Sequence, residues 1–348
     1  MAKAKPKSSP AGKTAASGSA STSARAAALA ELRVALLAWY KKYQRKLPWR
    51  LDHDPYRIWV SEVMLQQTRV AAVLEHYRLF LVAFPTVQAL AQAPEEQVLA
   101  MWSGLGYYRR ARMLHRAARV VAYSLEGVLP SDLQTLRKLP GVGRYTAAAI
   151  ASIAYGEPAA VVDGNVERVL SRLDGRPRAD ASAWLRAQQL LDPLHPGDWN
   201  QAMMELGATV CTPLNPRCRV CPLLTWCRAP GAVTLKPPAA RKRLRATRAL
   251  IAGSKRIYLA QRPSDVAKMA GMWELPELPA QAAKDLPQIC TVRHSITDTD
   301  YEVRVVSLTL TKLDASTRKS GRWVPFTALA ELPLTGLTRK ILRRQGML

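Results

Sequence analysis

No stretch of the 348 residues is apolar enough to cross a membrane as a helix. The longest mainly apolar run, around Thr146 to Tyr155, falls far short of the ~18 residues such a span needs, so no membrane partner is expected. The first residues place Lys, Ser, Ala and Gly where a secretory signal would carry its apolar core, and an intracellular chain is the expectation. Acids are scarce, 26 against 51 Lys and Arg, which leaves a formal charge of +25. That excess favours a polyanionic partner, nucleic acid before a membrane surface, because no basic helix with a bulky apolar face accompanies it. Cysteine is scarce too. Four of the five nevertheless fall within seventeen residues, as Cys211, Cys218, Cys221 and Cys227. In a compartment that disfavours disulfides, such a cluster points to metal.

Residues 1–25 contain no acid and no aromatic, cannot bury enough apolar surface to offset ordering, and are expected to form a disordered basic tail. Helical periodicity follows. Val70, Val73, Leu74, Tyr77, Leu81 and Phe84 recur at three- and four-residue steps and predict a core-facing helix. No period-two strand interrupts residues 26–228, which are expected to form one all-α domain. Residues 229–248, with several prolines, a basic run and no acid, resemble a linker. Beyond them, Ala249–Ala252 and Arg256–Ala260 flank Gly253-Ser254-Lys255 and are expected to form a hairpin, and Tyr301–Leu310 is rich in Val and Thr. Residues 249–348 are therefore expected to form a smaller mixed α and β domain.

Three constellations carry chemistry. Leu139-Pro140-Gly141-Val142-Gly143-Arg144 leads into an alanine-rich helix, a pattern suited to a tight turn whose amides hold a phosphate. Two acids flank it in sequence: Glu62, on a helix that Asp54 and Pro55 can start, and Asp163, at the head of another. As isolated residues they could be a surface acid and a helix cap. Apolar neighbours favour instead a carboxyl environment suited to a general acid. Finally, the C-x6-C-x2-C-x5-C spacing suits four thiolates on zinc or on an iron-sulfur cluster, and spacing does not separate the two.

Ser61-Glu62-Val63-Met64-Leu65-Gln66-Gln67-Thr68, Gly104-Leu105-Gly106-Tyr107-Tyr108, Leu139 to Thr146, Val162-Asp163-Gly164-Asn165-Val166 and the cysteine spacing together resemble the helix-hairpin-helix DNA glycosylases that carry a [4Fe-4S] cluster. The likeness covers roughly residues 31–228 and is strongest to the MutY-type adenine DNA glycosylases. It implies a mainly α catalytic region of helix-hairpin-helix glycosylase fold plus an α+β Nudix-like C-terminal domain. The implied substrate is double-stranded DNA with adenine mispaired with 8-oxoguanine or guanine, acted on by a cytoplasmic, nucleoid-associated monomer of bacterial type. The resemblance assigns Cys211, Cys218, Cys221 and Cys227 to the cluster. The alternative is an endonuclease III-like glycosylase and lyase acting on oxidised pyrimidines, but that branch has a lysine where this chain has Tyr145, and a phenol cannot form a Schiff base.

By resemblance, Glu62 protonates the leaving adenine, Asp163 stabilises the cationic sugar, and Tyr145 and Asn165 orient them, a division of labour known from glycoside hydrolysis. Arg50, Trp49 and Glu205 match family positions around the extruded base. Gln67 with Tyr107 or Tyr108 would wedge the duplex, and Gly141 and Gly143 would meet its backbone. After Gly271 no Arg-Glu-x-x-Glu-Glu run follows, so the last domain is not expected to hydrolyse nucleotides. The family reads 8-oxoguanine through a Phe-Ser-His loop, and Ile296-Thr297-Asp298 stands at that place. Thr297 keeps a hydrogen-bonding hydroxyl, whereas Asp298 replaces the histidine and predicts weaker discrimination against guanine.

Overall fold

The computed structural model describes residues 16–177, 181–233, 240–266 and 269–348. Its helices are α1 (Ala16–Tyr43), α2 (Pro55–Leu65), α3 (Val70–Ala83), α4 (Val87–Gln92), α5 (Glu95–Met101), α6 (Arg109–Ser124), α7 (Leu133–Leu136), α8 (Arg144–Tyr155), α9 (Gly164–Leu173), α10 (Ala181–Leu190) and α11 (Pro196–Thr209). Strands β1 (Lys242–Leu250), β2 (Arg256–Gln261), β3 (Trp273–Glu274), β4 (Glu277–Leu278), β5 (Gln288–Ile296), β6 (Thr299–Ser307) and β7 (Gly321–Pro325) follow, with α12 (Ala315–Lys319) before β7 and α13 (Gly336–Arg344) closing the chain. The mainly helical first part and strand-containing last part agree with the expected fold class.

Two compact units emerge, and they cut across the expected domain limits. One joins residues 1–46 to 151–235; the other joins 47–150 to 236–348. In the first, Leu32, Leu36 and Tyr40 of α1 share a core with Val169 and Leu170 of α9, Ala183 and Ala187 of α10, and Trp199 and Leu206 of α11. Packing between such distant segments leaves no local mark in sequence.

In the second unit, α2 begins as expected: the Asp54 side chain accepts from the Arg57 amide and Pro55 occupies the first turn. The α3 stripe is narrower than its periodicity suggests. Val73, Tyr77 and Phe80 are buried with Phe84 at its end, but Leu74 is exposed. The strands form two sheets, ordered β4-β1-β6-β5 and β3-β2-β7. β1 runs parallel to β6, and the other pairings are antiparallel. Alternation places Ile257 and Leu259 in one core with Val303, Val305 and Ile341, while Tyr258 and Val306 enter a second. Side chains therefore cover both faces.

Two expectations need correction. Helix α1 starts at Ala16, inside the stretch expected to be disordered; alanines there propagate a helix anchored further on by Leu32 and Leu36. Residues 1–15 lie outside the described residues. The expected linker 229–248 ends in strand, since Lys242 to Arg248 pair along β6 in register with Thr299 to Val305. Exposed cationic side chains hid the strand, whose stability comes from the backbone ladder. Residues 234–239 of that stretch are outside the described residues.

Candidate active site and nucleic-acid interface

A cleft of about 1130 Å3 opens in the second unit. Trp59, Val63 and Gln67 line it from α2 and its end, Tyr107 and Tyr108 from the turn before α6, Gly141 from the turn before α8, and Ile296 and Thr297 from the β5–β6 turn. Backbone strain concentrates here. Of the five non-glycine residues with left-handed φ among the described residues, Gln67 (55°), Tyr107 (48°), Met269 (53°) and Thr297 (51°) all line this cleft. Such conformations cost of order 1–3 kcal/mol each and cluster where function demands them.

Arg110 holds two of these turns together. One nitrogen of its guanidinium donates to the carbonyls of Val63, Met64 and Gln66, and the other to Thr68 Oγ1 and the Leu105 and Gly106 carbonyls. The carbonyls at the end of α2 are thereby capped, and the guanidinium also faces the Trp102 and Tyr107 rings, 5.4 Å from each centroid. Burial pushes its pKa down to about 10; the surrounding acceptors favour the charged form, and it stays protonated at neutral pH.

The structure separates the two candidate wedge tyrosines. Tyr107 is 46 % exposed in the cleft, whereas Tyr108 is buried and its hydroxyl donates to the Leu334 carbonyl. Gly141 is left-handed, and a Cβ there would lie 2.4 Å from Met113 Cβ, so close packing on α6 alone requires glycine. Gly143 has open space on that side. Glu62 lies buried on α2, one turn beyond the fully buried Trp59. Gln66 reaches Thr146 Oγ1 at 3.2 Å, linking the end of α2 to α8, and Tyr145 is half-buried beside it. Trp49 is buried edge-on against Tyr77, with ring centroids 5.4 Å apart, and the half-buried Arg50 ends the same short turn.

In the first unit, Asp163 caps α9. Its Oδ1 accepts from the amides of Asn165 (2.9 Å) and Val166 (2.7 Å), and its Oδ2 accepts from Asn165 Nδ2 (2.9 Å). Asn165 thus orients the carboxylate twice. Arg168 continues the network, donating to Asn165 Oδ1 at 2.9 Å, the Gly207 carbonyl at 2.8 Å and the Cys211 carbonyl at 2.8 Å. Glu205, expected near the extruded base, has a fully buried side chain forked to Arg45 at 2.7 and 2.8 Å. Asn200 fixes the approach to Asp163 by accepting from the Val161 amide and donating to Ser152 Oγ and the Ala159 carbonyl.

The four clustered cysteines are free, half-buried thiols in the same unit. Cys221 feels the other three, but burial is the main cause that pushes its pKa up to about 11. Arg172 Nη1 lies 3.2 Å from Cys211 Sγ, and the Gly231 amide lies 3.2 Å from Cys218 Sγ. N–H donors aimed at sulfur suit thiolates bound to metal. Among the described residues, no three donors stand where a single ion could be shared.

Arg45, Arg110, Arg168 and Asn200 escaped sequence reasoning. Arg168 lies one turn and a half beyond Asp163, but nothing in its spacing distinguishes it from the many other basic residues.

Residues 60–191 match the HhH-GPD superfamily of base excision DNA repair proteins. Curated relatives extend the likeness. The chain is 51 % identical over 212 residues to the adenine DNA glycosylase of Homo sapiens, covering 57 % of this chain and 39 % of that protein. It is 36 % identical over 199 residues to that of Buchnera aphidicola subsp. Baizongia pistaciae, covering 56 % and 57 %. The match spans less than two thirds of either relative's length. Among solved structures, a thermostable thymine-DNA glycosylase superposes with a TM-score of 0.54 at 29 % identity, over 60 % of this chain and 97 % of that one. An endonuclease III–DNA complex gives 0.50 at 26 % identity, over 57 % and 95 %. The helical part of the chain is thus similar in fold to endonuclease III, and part of the chain is similar in sequence to curated adenine DNA glycosylases.

Proposed function

We propose that the protein is a monofunctional DNA glycosylase that extrudes adenine mispaired with 8-oxoguanine or guanine and hydrolyses its N-glycosyl bond, acting as a monomer at the nucleoid. The observation that carries this reading is the likeness to an adenine DNA glycosylase, 51 % identical over 212 residues, together with a buried Glu62 on capped α2 in one unit and, in the other, Asp163 held by three N–H donors at the head of α9. Glu62 supplies the proton to the departing adenine and then assists water. Asp163 offsets positive charge on the sugar, and Asn165 keeps both its oxygens fixed. Tyr145 offers no amine for lyase chemistry, so the abasic strand stays intact. The bidentate Arg45 makes Glu205 a brace for α11 in this scheme rather than a base contact.

By their number and sequence spacing Cys211, Cys218, Cys221 and Cys227 would hold a [4Fe-4S] cluster, and the N–H donors at Cys211 and Cys218 would favour its thiolate ligands. Such a cluster, when bound, would cross-link residues 211–227 through these four thiolates. Cys218→Ser is expected to reduce iron content and visible absorbance and to lower the melting temperature.

The decisive experiment is single-turnover reaction on duplexes carrying adenine opposite 8-oxoguanine, guanine or thymine, each assayed with and without alkali. Adenine release that yields strand breaks only after alkali is expected, and Glu62→Gln should abolish release while sparing binding. Nicking without alkali would favour the endonuclease III-like reading. A fourth duplex carries thymine opposite guanine, and thymine release from it would favour an activity like that of the thymine-DNA glycosylase relative instead.

A further inference from the structure

The turn that carries Tyr107 is tethered to the strand-rich part of its own unit. Ser103 Oγ donates to the Leu334 carbonyl at 2.8 Å and accepts from Arg339 Nε at 2.9 Å. Tyr108 Oη donates to the same carbonyl at 3.3 Å. Ser103 and Tyr108 are 4 % and 6 % exposed, so these bonds form away from water, where they are stronger and costlier to lose. Burial pushes the Arg339 pKa down, yet Ser103 Oγ accepts from the guanidinium in that setting. On the opposite side, Arg110 grips the Leu105 and Gly106 carbonyls, and His76 Nε2 faces the Ser103 carbonyl at 3.2 Å. Between these anchors Tyr107 stands exposed and left-handed in the cleft.

Helix α13, which presents Arg339, also touches the far wall. Lys340 Nζ donates to the Arg293 carbonyl at 2.7 Å, and the His294 ring lies 3.5 Å from the place a Cβ would occupy on Gly336. Arg293 and His294 lead directly to Ile296 and Thr297. One short helix therefore contacts both the turn that carries Tyr107 and the end of β5 that leads into the Ile296–Thr297 turn.

We infer that Ser103 and Arg339 are positioning residues through which the strand-rich part sets Tyr107 as the wedge for base extrusion. This rests on the proposed glycosylase function, because it presupposes a base leaving the stack. A hydroxyl at 103 and a guanidinium at 339 hold the turn against the recoil of the displaced duplex, while Tyr107 alone meets DNA.

The test places 2-aminopurine for adenine opposite 8-oxoguanine and reads its fluorescence on binding to the full chain. Ser103→Ala and Arg339→Lys are each expected to lower the extruded fraction about fivefold, the worth of one hydrogen bond, with little change in affinity for undamaged duplex. In a Tyr107→Ala background the same changes should make no further difference, because they act through that side chain. Unchanged extrusion in both variants, or losses that simply add to that of Tyr107→Ala, would overturn the inference. Ser103→Ala removes one oxygen, and its melting temperature identifies a general folding defect, which would appear as additive loss. A wild-type protein that excises adenine but fails these tests overturns only the positioning role. One that neither extrudes 2-aminopurine nor excises adenine refutes the glycosylase reading itself.

Discussion

At Gly207 a single hydrogen atom keeps α11 against the head of α9. A Cβ there would lie 2.6 Å from Asn165 Cβ and 3.0 Å from its carbonyl carbon and oxygen. Gly207→Ala is expected to cost about 1–3 kcal/mol through overpacking. Because the displaced residue orients Asp163, the single-turnover rate should fall further than the thermal melt implies. Equal rates with a lowered melt would show that Asn165 does not set the carboxylate. Distinctive local runs singled out Glu62, Asp163 and Asn165; the structure buries Glu62 on α2 and joins Asn165 to the Asp163 carboxylate. Arg110 and Ser103 were not legible, because their partners are mostly carbonyls donated by other turns, and a carbonyl carries no sequence identity.

Among elements, the Asp54 cap of α2 could be read directly, whereas the cap reading of Asp163, set aside in sequence, is borne out at the head of α9, and at Gly253 the turn forms, its amide meeting the Arg256 carbonyl, but β1 and β2 on either side enter different sheets instead of one hairpin. Removing the first with Asp54→Ala should cost ~1 kcal/mol, seen as a lower melting temperature. Strand β1 was illegible because its ladder to β6 runs parallel from a distant segment. The turn after β5 carries a pH dependence. Burial, and secondarily Lys340, lowers the His294 pKa, so the folded protein binds its proton less readily than the unfolded chain. That contribution is intact above the unfolded value of about 6.5 and is lost progressively as pH falls below it. His294→Asn should therefore flatten the acid side of a plot of melting temperature against pH. At the same turn, Asp298 accepts from the Thr297 and Thr299 hydroxyls, the Thr299 bond being the largest cause of its lowered pKa. Asp298→His should raise the ratio of adenine excision opposite 8-oxoguanine to that opposite guanine; an unchanged ratio would count against a discriminating role for this turn.

For the whole molecule, the charge of +25 predicts DNA affinity that falls steeply with salt, on a log–log slope set by the number of phosphates neutralised. A slope near zero would remove phosphate contact from the account. The division of the chain has another consequence. Each unit is assembled from two separated stretches, 1–46 with 151–235 and 47–150 with 236–348. A ribosome emits these stretches alternately, so α1 must wait for α9 to α11 before its apolar stripe is covered. The cleft's far wall, made by the β5–β6 turn, arrives last of all. During synthesis the chain exposes unfinished apolar surface twice, and the helices carrying Glu62 and Tyr145 emerge well before the turn carrying Thr297.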